Sequence, residues 1–151
     1  MVAFRNEQNQ NILLSTQNYE FPASNDKEYD GNWLQVNIKI IDNQKMWETT
    51  APFLLTYDWI QIGQWFSDAA QFKQPKWKDL SFIEPNIEFQ LVDFNRIIDR
   101  INFNIQLRLE CVPPFYEGNE KVQYRFCFTS KKCEEIAEMC KKEYERFPER
   151  R

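Results

Sequence analysis

The side chains able to carry chemistry in this 151-residue chain are carboxylates, amines, phenols and thiols, because it contains no histidine. Ser-His-Asp and Cys-His catalysis, His-ligated zinc and the commonest general base near neutral pH are thereby excluded. Only three glycines are present, so neither a P-loop nor a dinucleotide-binding turn has the material it needs. What remains for an enzyme is a carboxylate in an aromatic cleft. Glu48, Glu84 and Glu110 lie in or beside predicted strands next to apolar residues, and burial at a strand end raises a carboxyl pKa toward the range useful for acid-base work. A small-ligand enzyme or carrier using Glu84 or Glu110 beside Trp47 is therefore one reading. Glu88, Glu110, Arg108 and Lys39 equally fit cross-strand ion pairs on a solvated sheet face, and no spacing among the acids marks a catalytic geometry. That plainer reading is the stronger.

The four cysteines, Cys111, Cys127, Cys133 and Cys140, include no CxxC pair. Cys133 and Cys140 stand seven apart on a predicted helix, about 10 Å of rise, too far to bridge. Reduced, buried thiols are expected, since free Cys packs as a small hydrophobe. No metal and no cofactor is expected from dispersed thiols and carboxylates. Thirteen Phe, six Tyr and five Trp could offer stacking platforms to a nucleic acid. The basic residues are scattered, however, and Lys131, Lys132, Lys141 and Lys142 are matched by neighbouring glutamates, so a phosphate backbone finds no track. The aromatics belong to the core instead. No run approaches the roughly 20 apolar residues that span a bilayer, and the first ten residues lack the apolar stretch of a signal peptide, which points to a cytoplasmic protein without a membrane partner.

The elements that must position these groups read as follows. Residues 1–10 are rich in Asn and Gln and predict a loose tail before a strand at Ile12–Leu14. Residues 22–32 are turn formers. Leu34, Val36, Ile38 and Ile40 alternate with Gln35, Asn37 and Lys39, a half-buried strand, and Lys45 to Leu55 returns as its hairpin partner after Asp42-Asn43. Thr56 is placed to cap a helix in which Trp59, Ile62, Phe66, Ala69 and Ala70 share a face, with Gly63 marking close approach to the sheet. Leu80–Glu84, Ile87–Phe94, the alternating Ile101–Cys111 and Val122–Phe128 predict four more strands. Ser130 is placed to cap a last helix with Cys133, Ile136, Ala137, Cys140, Tyr144 and Phe147 on one stripe. With 42% hydrophobic residues and this length, one α+β domain over residues 1–151 follows: an antiparallel sheet of six to seven strands with two helices packed on it.

The net charge is −4, and the acids gather in three stretches of one sign. Asp79 to Phe94 carries four acids and no base, Cys111 to Glu120 carries two acids and no base, and residues 20–30 carry four acids against Lys27. Converging on one face, they would steer a basic partner. The run from Trp47-Glu48-Thr49-Thr50-Ala51-Pro52-Phe53-Leu54-Leu55-Thr56 through Trp59 and Trp65-Phe66, then Leu80-Ser81-Phe82-Ile83-Glu84-Pro85-Asn86-Ile87-Glu88-Phe89 and Leu109-Glu110-Cys111-Val112-Pro113-Pro114, with the closing Phe147-Pro148-Glu149-Arg150, resembles the WapI-type bacterial immunity proteins. The resemblance covers roughly residues 33–115 and the C-terminus. It implies a small protein without catalysis or cofactor that binds and neutralises the C-terminal toxin domain of a wall-associated polymorphic toxin, often a tRNA-cleaving nuclease, in contact-dependent competition. No binding motif transfers residue by residue. Charge and loop placement therefore select Asp26, Glu28, Asp30, Asp79, Glu117 and Glu120 as the expected contacts to a basic toxin domain.

Overall fold

The computed structural model describes residues 1–23 and 29–150. Its strands are β1 (Val2–Arg5), β2 (Gln10–Tyr19), β3 (Trp33–Asp42), β4 (Lys45–Leu55), β5 (Asp79–Leu80), β6 (Ile87–Asn95), β7 (Arg100–Arg108) and β8 (Lys121–Phe128). The single turn α1 (Tyr29–Asn32) precedes β3, α2 (Asp58–Ala70) follows β4, and α3 (Ser130–Arg146) closes the chain. The expected α+β class holds, with the strands divided into two antiparallel sheets of four, β1-β2-β3-β4 and β5-β6-β7-β8, rather than laid into one of six or seven. The division falls where α2 intervenes, because a helix between β4 and β5 leaves no hairpin to carry one sheet into the next.

Alternation dictates which face each strand buries. Ile12 and Leu14 of β2 and Leu34, Val36, Ile38 and Ile40 of β3 point inward from the first sheet, and Phe89, Leu91, Phe103, Ile105, Leu107, Tyr124 and Phe126 from the second. The two inner faces, with α2 and α3, form one apolar core. Phe4 of β1 joins them: its ring lies 5.7–6.5 Å from Phe66, Phe89, Phe103, Phe126 and Phe128. Trp59 of α2 donates its indole N–H to Thr16 Oγ1 of β2 at 2.9 Å, satisfying both buried groups.

Several boundaries depart from the sequence reading. The expected loose tail contains β1, whose Val2 and Phe4 are fully buried opposite Leu14 and Ile12. The Asn- and Gln-rich residues after it form a tight hairpin turn, with Asn6 Oδ1 accepting from the backbone of Gln8 and Gln10. The expected strand Leu80–Glu84 shrinks to β5, and Ile101–Cys111 ends at Arg108, where Leu109 adopts a positive φ of 55° and begins a 3-10 turn. Neither expected cap holds. Thr56 lies before the first turn of α2, whose N-cap Tyr57 makes no side-chain bond, and Thr129 rather than Ser130 caps α3 by accepting from Lys132 N at 3.2 Å. Gly63 approaches α3, not a sheet: a Cβ there would sit 3.4 Å from Cys140 Cβ. The four cysteines are free, but Cys127 faces outward on β8 and is exposed, while burial pushes the Cys111 and Cys133 thiols up to about 12 and raises that of Cys140.

Candidate functional site

The acidic stretch from Asp79 to Phe94 becomes one flank of the second sheet's outer face. Leu80 is buried, so its strand neighbour Asp79 faces solvent, opposite Gln90 in the β5/β6 register. Glu88 stands two residues along β6 from Gln90 on the same face and accepts from Gln90 Nε2 at 2.5 Å. A bulge between Leu91 and Asp93 keeps Leu91 inward while returning Asp93 to the outside, where it accepts from Asn102 Nδ2 at 2.7 Å. Asp79, Glu88 and Asp93 thus share a short edge. Glu88 and Asp93 were not among the expected contacts. The signal that finds them is the single-sign run itself, combined with the bulge that sequence alternation does not show.

Bases occupy the opposite flank. Arg108 ends β7, and Lys121 and Arg125 lie on β8, exposed or half-exposed. Between the flanks run side-chain amides, since Glu88, Gln106 and Gln123 form one cross-strand row and Gln90, Asn104 and Arg125 the next. Two strand spacings separate β6 from β8, about 10 Å, which is beyond ion-pair reach and close to one Debye length at physiological salt. The expected cross-strand ion pairs are not formed: among the described residues Glu88, Glu110, Arg108 and Lys39 make none, and Glu110 instead accepts from Asn86 Nδ2 at 2.7 Å.

The other expected contacts lie elsewhere. Exposed Glu117 and Glu120 sit in the loop entering β8, at the edge of the sheet opposite Asp79. That loop is held to the far end of β3, because Tyr116 donates its hydroxyl to Asp42 Oδ2 and receives one from Tyr124 at 2.8 Å. Burial pushes the Asp42 carboxyl up, but hydrogen bonds from Tyr116, Asn43 and Gln10 outweigh it, and the net pKa falls below the ordinary value. Burial, then the bond to Asp42, drives Tyr116 up to about 12. Asp26 and Glu28 lie outside the described residues, as does the side chain of Asp30, whose backbone belongs to α1. α1 precedes β3 at Trp33 while Asp42 ends it, so the Asp30 and Glu117 stretches stand about 30 Å apart, ten strand residues. The Asp79 and Glu117 stretches lie at opposite edges of the second sheet. The C-terminal tail binds Gly31, Asn32 and Tyr19: Arg150 N donates to Asn32 Oδ1 at 2.7 Å, its Nε to Gly31 O at 2.8 Å, and its guanidinium lies 3.9 Å from the Tyr19 ring centroid.

Buried carboxylates serve the fold. Asp58 accepts from Leu55 N at 2.8 Å where β4 gives way to α2, and burial raises its pKa to about 6 against that bond. Glu143 of α3 is fully buried between the Met1 ammonium at 2.7 Å and Arg146 Nη1 at 3.0 Å, and it accepts from Thr16 N at 3.3 Å. Glu48 and Glu110, the acids weighed for an active site, are exposed and Glu84 is half-buried. A groove of about 470 Å³ runs between α2 and α3 over Trp59, Ile60, Gly63, Ala137 and Tyr144. No cluster of three or more Cys, Asp and Glu suited to a metal occurs among the described residues.

Two sheets, two long helices and a charge-segregated outer face define an α+β protein whose distinguishing features are on its surface. The model of the immunity protein WapI-like family matches residues 3–148, and the chain belongs to that family. Its role is that of an immunity protein. The match takes in β1 and β2, extending the resemblance beyond residues 33–115 and the C-terminus. No curated protein and no solved structure matches the chain.

Proposed function

We propose that this immunity protein binds the C-terminal toxin domain of a wall-associated polymorphic toxin in the cytoplasm and blocks its active site, without catalysis of its own and without a cofactor. The observation that carries the reading is the acidic edge of Asp79, Glu88 and Asp93, which has no base on its own strands and faces outward. A tRNA-cleaving nuclease suits that edge, because a site that holds phosphate is basic and an acidic surface seated in it excludes the substrate. Glu117 and Glu120, about 14 Å or more away across the sheet, and the Asp26, Glu28 and Asp30 stretch would meet other parts of such a partner. No described helix is long and apolar enough to cross a membrane, which is compatible with a cytoplasmic site of action.

The test is a mixture of this chain with the C-terminal domain of the toxin encoded beside it. A stable complex on size exclusion, together with loss of RNA cleavage in proportion to added chain, is the expected result. Separate elution with undiminished toxin activity would refute the reading.

A further inference from the structure

The β6–β7 hairpin ends in a turn that displays two isoleucines. Ile97 is 95% exposed and Ile98 60%, the largest exposure among the apolar side chains of the described residues being that of Ile97. Isolated exposed apolar residues are ordinary, but this pair is built into a fixed frame. Asn95 Oδ1 accepts from Ile97 N at 3.0 Å and Ile98 N at 3.4 Å. Asp99, with φ at 53°, closes the turn through its N–H to Arg96 O, and its carboxylate accepts from Ser130 N at 2.8 Å, tying the turn to the start of α3. Arg96 reaches the other way, donating to Gln71 O at 3.4 Å and lying 5.5 Å from the Phe72 ring centroid just past the end of α2. Arg100 donates to Ile98 O and Asp99 O at 3.3 and 3.0 Å. Arg100 thus binds the turn's own carbonyls, and Arg96 ties the turn to the residues past α2.

We infer that Ile97 and Ile98 are an apolar knob that enters a pocket on the toxin domain beside the acidic edge. The inference rests on the toxin-binding reading proposed above and locates the central contact of that interface. Three observations select a protein pocket as the occupant. The knob is pre-organised from both helices, so little conformational entropy opposes its burial. Asp93 of the acidic edge lies four residues before Ile97 on the same hairpin, so charge steering and apolar burial fall on contiguous surface, the pattern of a buried anchor with a polar rim. The net charge is −4, which disfavours an anionic lipid surface.

The experiment compares wild type, Ile97→Ser/Ile98→Ser and Ile97→Asp/Ile98→Asp for binding to the same toxin domain by surface plasmon resonance at two salt concentrations. Thermal denaturation run alongside verifies that both variants fold. A rise of 30-fold or more in dissociation rate is expected of both, with association rate and its salt dependence unchanged in the uncharged Ile97→Ser/Ile98→Ser variant. Binding by the variants within threefold of wild type overturns the knob while leaving the toxin-binding reading standing. Failure of the wild type itself to bind overturns both. Flotation with phosphatidylglycerol vesicles is the second arm, and isoleucine-dependent flotation with unaltered toxin binding overturns the proposal in favour of a membrane contact.

Discussion

The two sheets solve the same packing problem with different side chains. The inner face of β2 and β3 is aliphatic, Ile12, Leu14, Leu34, Val36, Ile38 and Ile40, whereas β6, β7 and β8 bury Phe89, Phe103, Tyr124, Phe126 and Phe128, with Phe89 and Phe103 against Trp65 and Phe66 of α2. Their outer faces differ in a second way. Around β3 the outward residues are neutral and short, Ser15, Gln35, Asn37 and Thr50, with Lys39 and Glu48 opposite each other in register. The second sheet instead segregates acids to β5 and β6 from bases on β7 and β8. The first sheet thus keeps its opposite charges in register across strands, and the second couples a heavily cross-braced interior to a charge-segregated outer face.

The largest expected effect breaks the interior half of that comparison. Phe103 lies 5.0–6.4 Å from five other rings, Phe4, Trp65, Phe66, Phe126 and Phe128, so Phe103→Ala removes a shared wall and leaves a cavity its rigid neighbours cannot fill. A loss of about 3–5 kcal/mol is expected. Ile38→Val in the aliphatic sheet should cost only about 0.5–1.5 kcal/mol. Urea denaturation of the two variants checks the difference, and equal losses would abolish the distinction between the sheets.

The next effect concerns a carboxylate buried where the first sheet gives way to α2. Asp58 is buried at the β4–α2 junction with a pKa near 6, against 3.8 for an ordinary Asp. A folded pKa above the unfolded one gives stability that is complete below about pH 4 and lost as pH rises through 6. Ionised Asp58 therefore opposes folding at neutral pH. Asp58→Asn keeps an acceptor for Leu55 N and should raise stability at pH 7 by about 2–3 kcal/mol while flattening the profile between pH 4 and 7. A variant no more stable than wild type at pH 7 would show that the junction, not the charge, sets the energy.

A smaller effect is expected at the clamp joining the sheets. Tyr116→Phe removes the hydrogen bond to Asp42 and leaves Tyr124 without its acceptor, at a cost of about 1–2 kcal/mol. The carboxylate loses a donor that lowers its pKa, so the deficit should be greatest above the Asp42 pKa and shrink in acid, as thermal denaturation at pH 7 and pH 3 would show.

How much of this was legible depends on whether local pattern and long-range packing agree. The alternation from Leu34 to Ile40 and from Ile101 to Leu107 specifies strands because nothing nearby contradicts it. β1 has only four residues beside a polar run, and what makes it a strand is the ring cluster around Phe4, assembled from residues more than 60 positions away. Glu143 occupies the same stripe as Cys133, Ile136 and Cys140, yet its charge conceals its burial, since its partner Met1 comes from the other end of the chain. At the candidate site, Asp79 was legible from the charge run and loop position. Asp93 was not, because a one-residue bulge decides which face it occupies. The tight turn around Ile97 depends on anchors at Gln71 and Ser130 that no local pattern records.

The smallest expected effect on stability carries the functional half of the comparison. Asp79→Lys, Glu88→Lys and Asp93→Lys change solvated side chains on the outer face, and the amide bonds from Gln90 and Asn102 are the only described side-chain partners of Glu88 and Asp93. Each reversal should move the denaturation midpoint by no more than the equivalent of about 0.5 kcal/mol. Association with a basic toxin domain should nonetheless slow, because the approaching charge is then repelled from the flank that had attracted it, and the residual rate should depend less on ionic strength. Glu48→Lys on the outer face of the first sheet is the matched control: the net charge changes by the same two units, so an effect of net charge alone would appear there too. Slowing confined to the β5/β6 variants locates steering on that edge. Equal slowing by all four would reduce it to net charge, and unchanged rates in all four would leave Glu117, Glu120 and the Asp26, Glu28 and Asp30 stretch as the acidic surfaces to test.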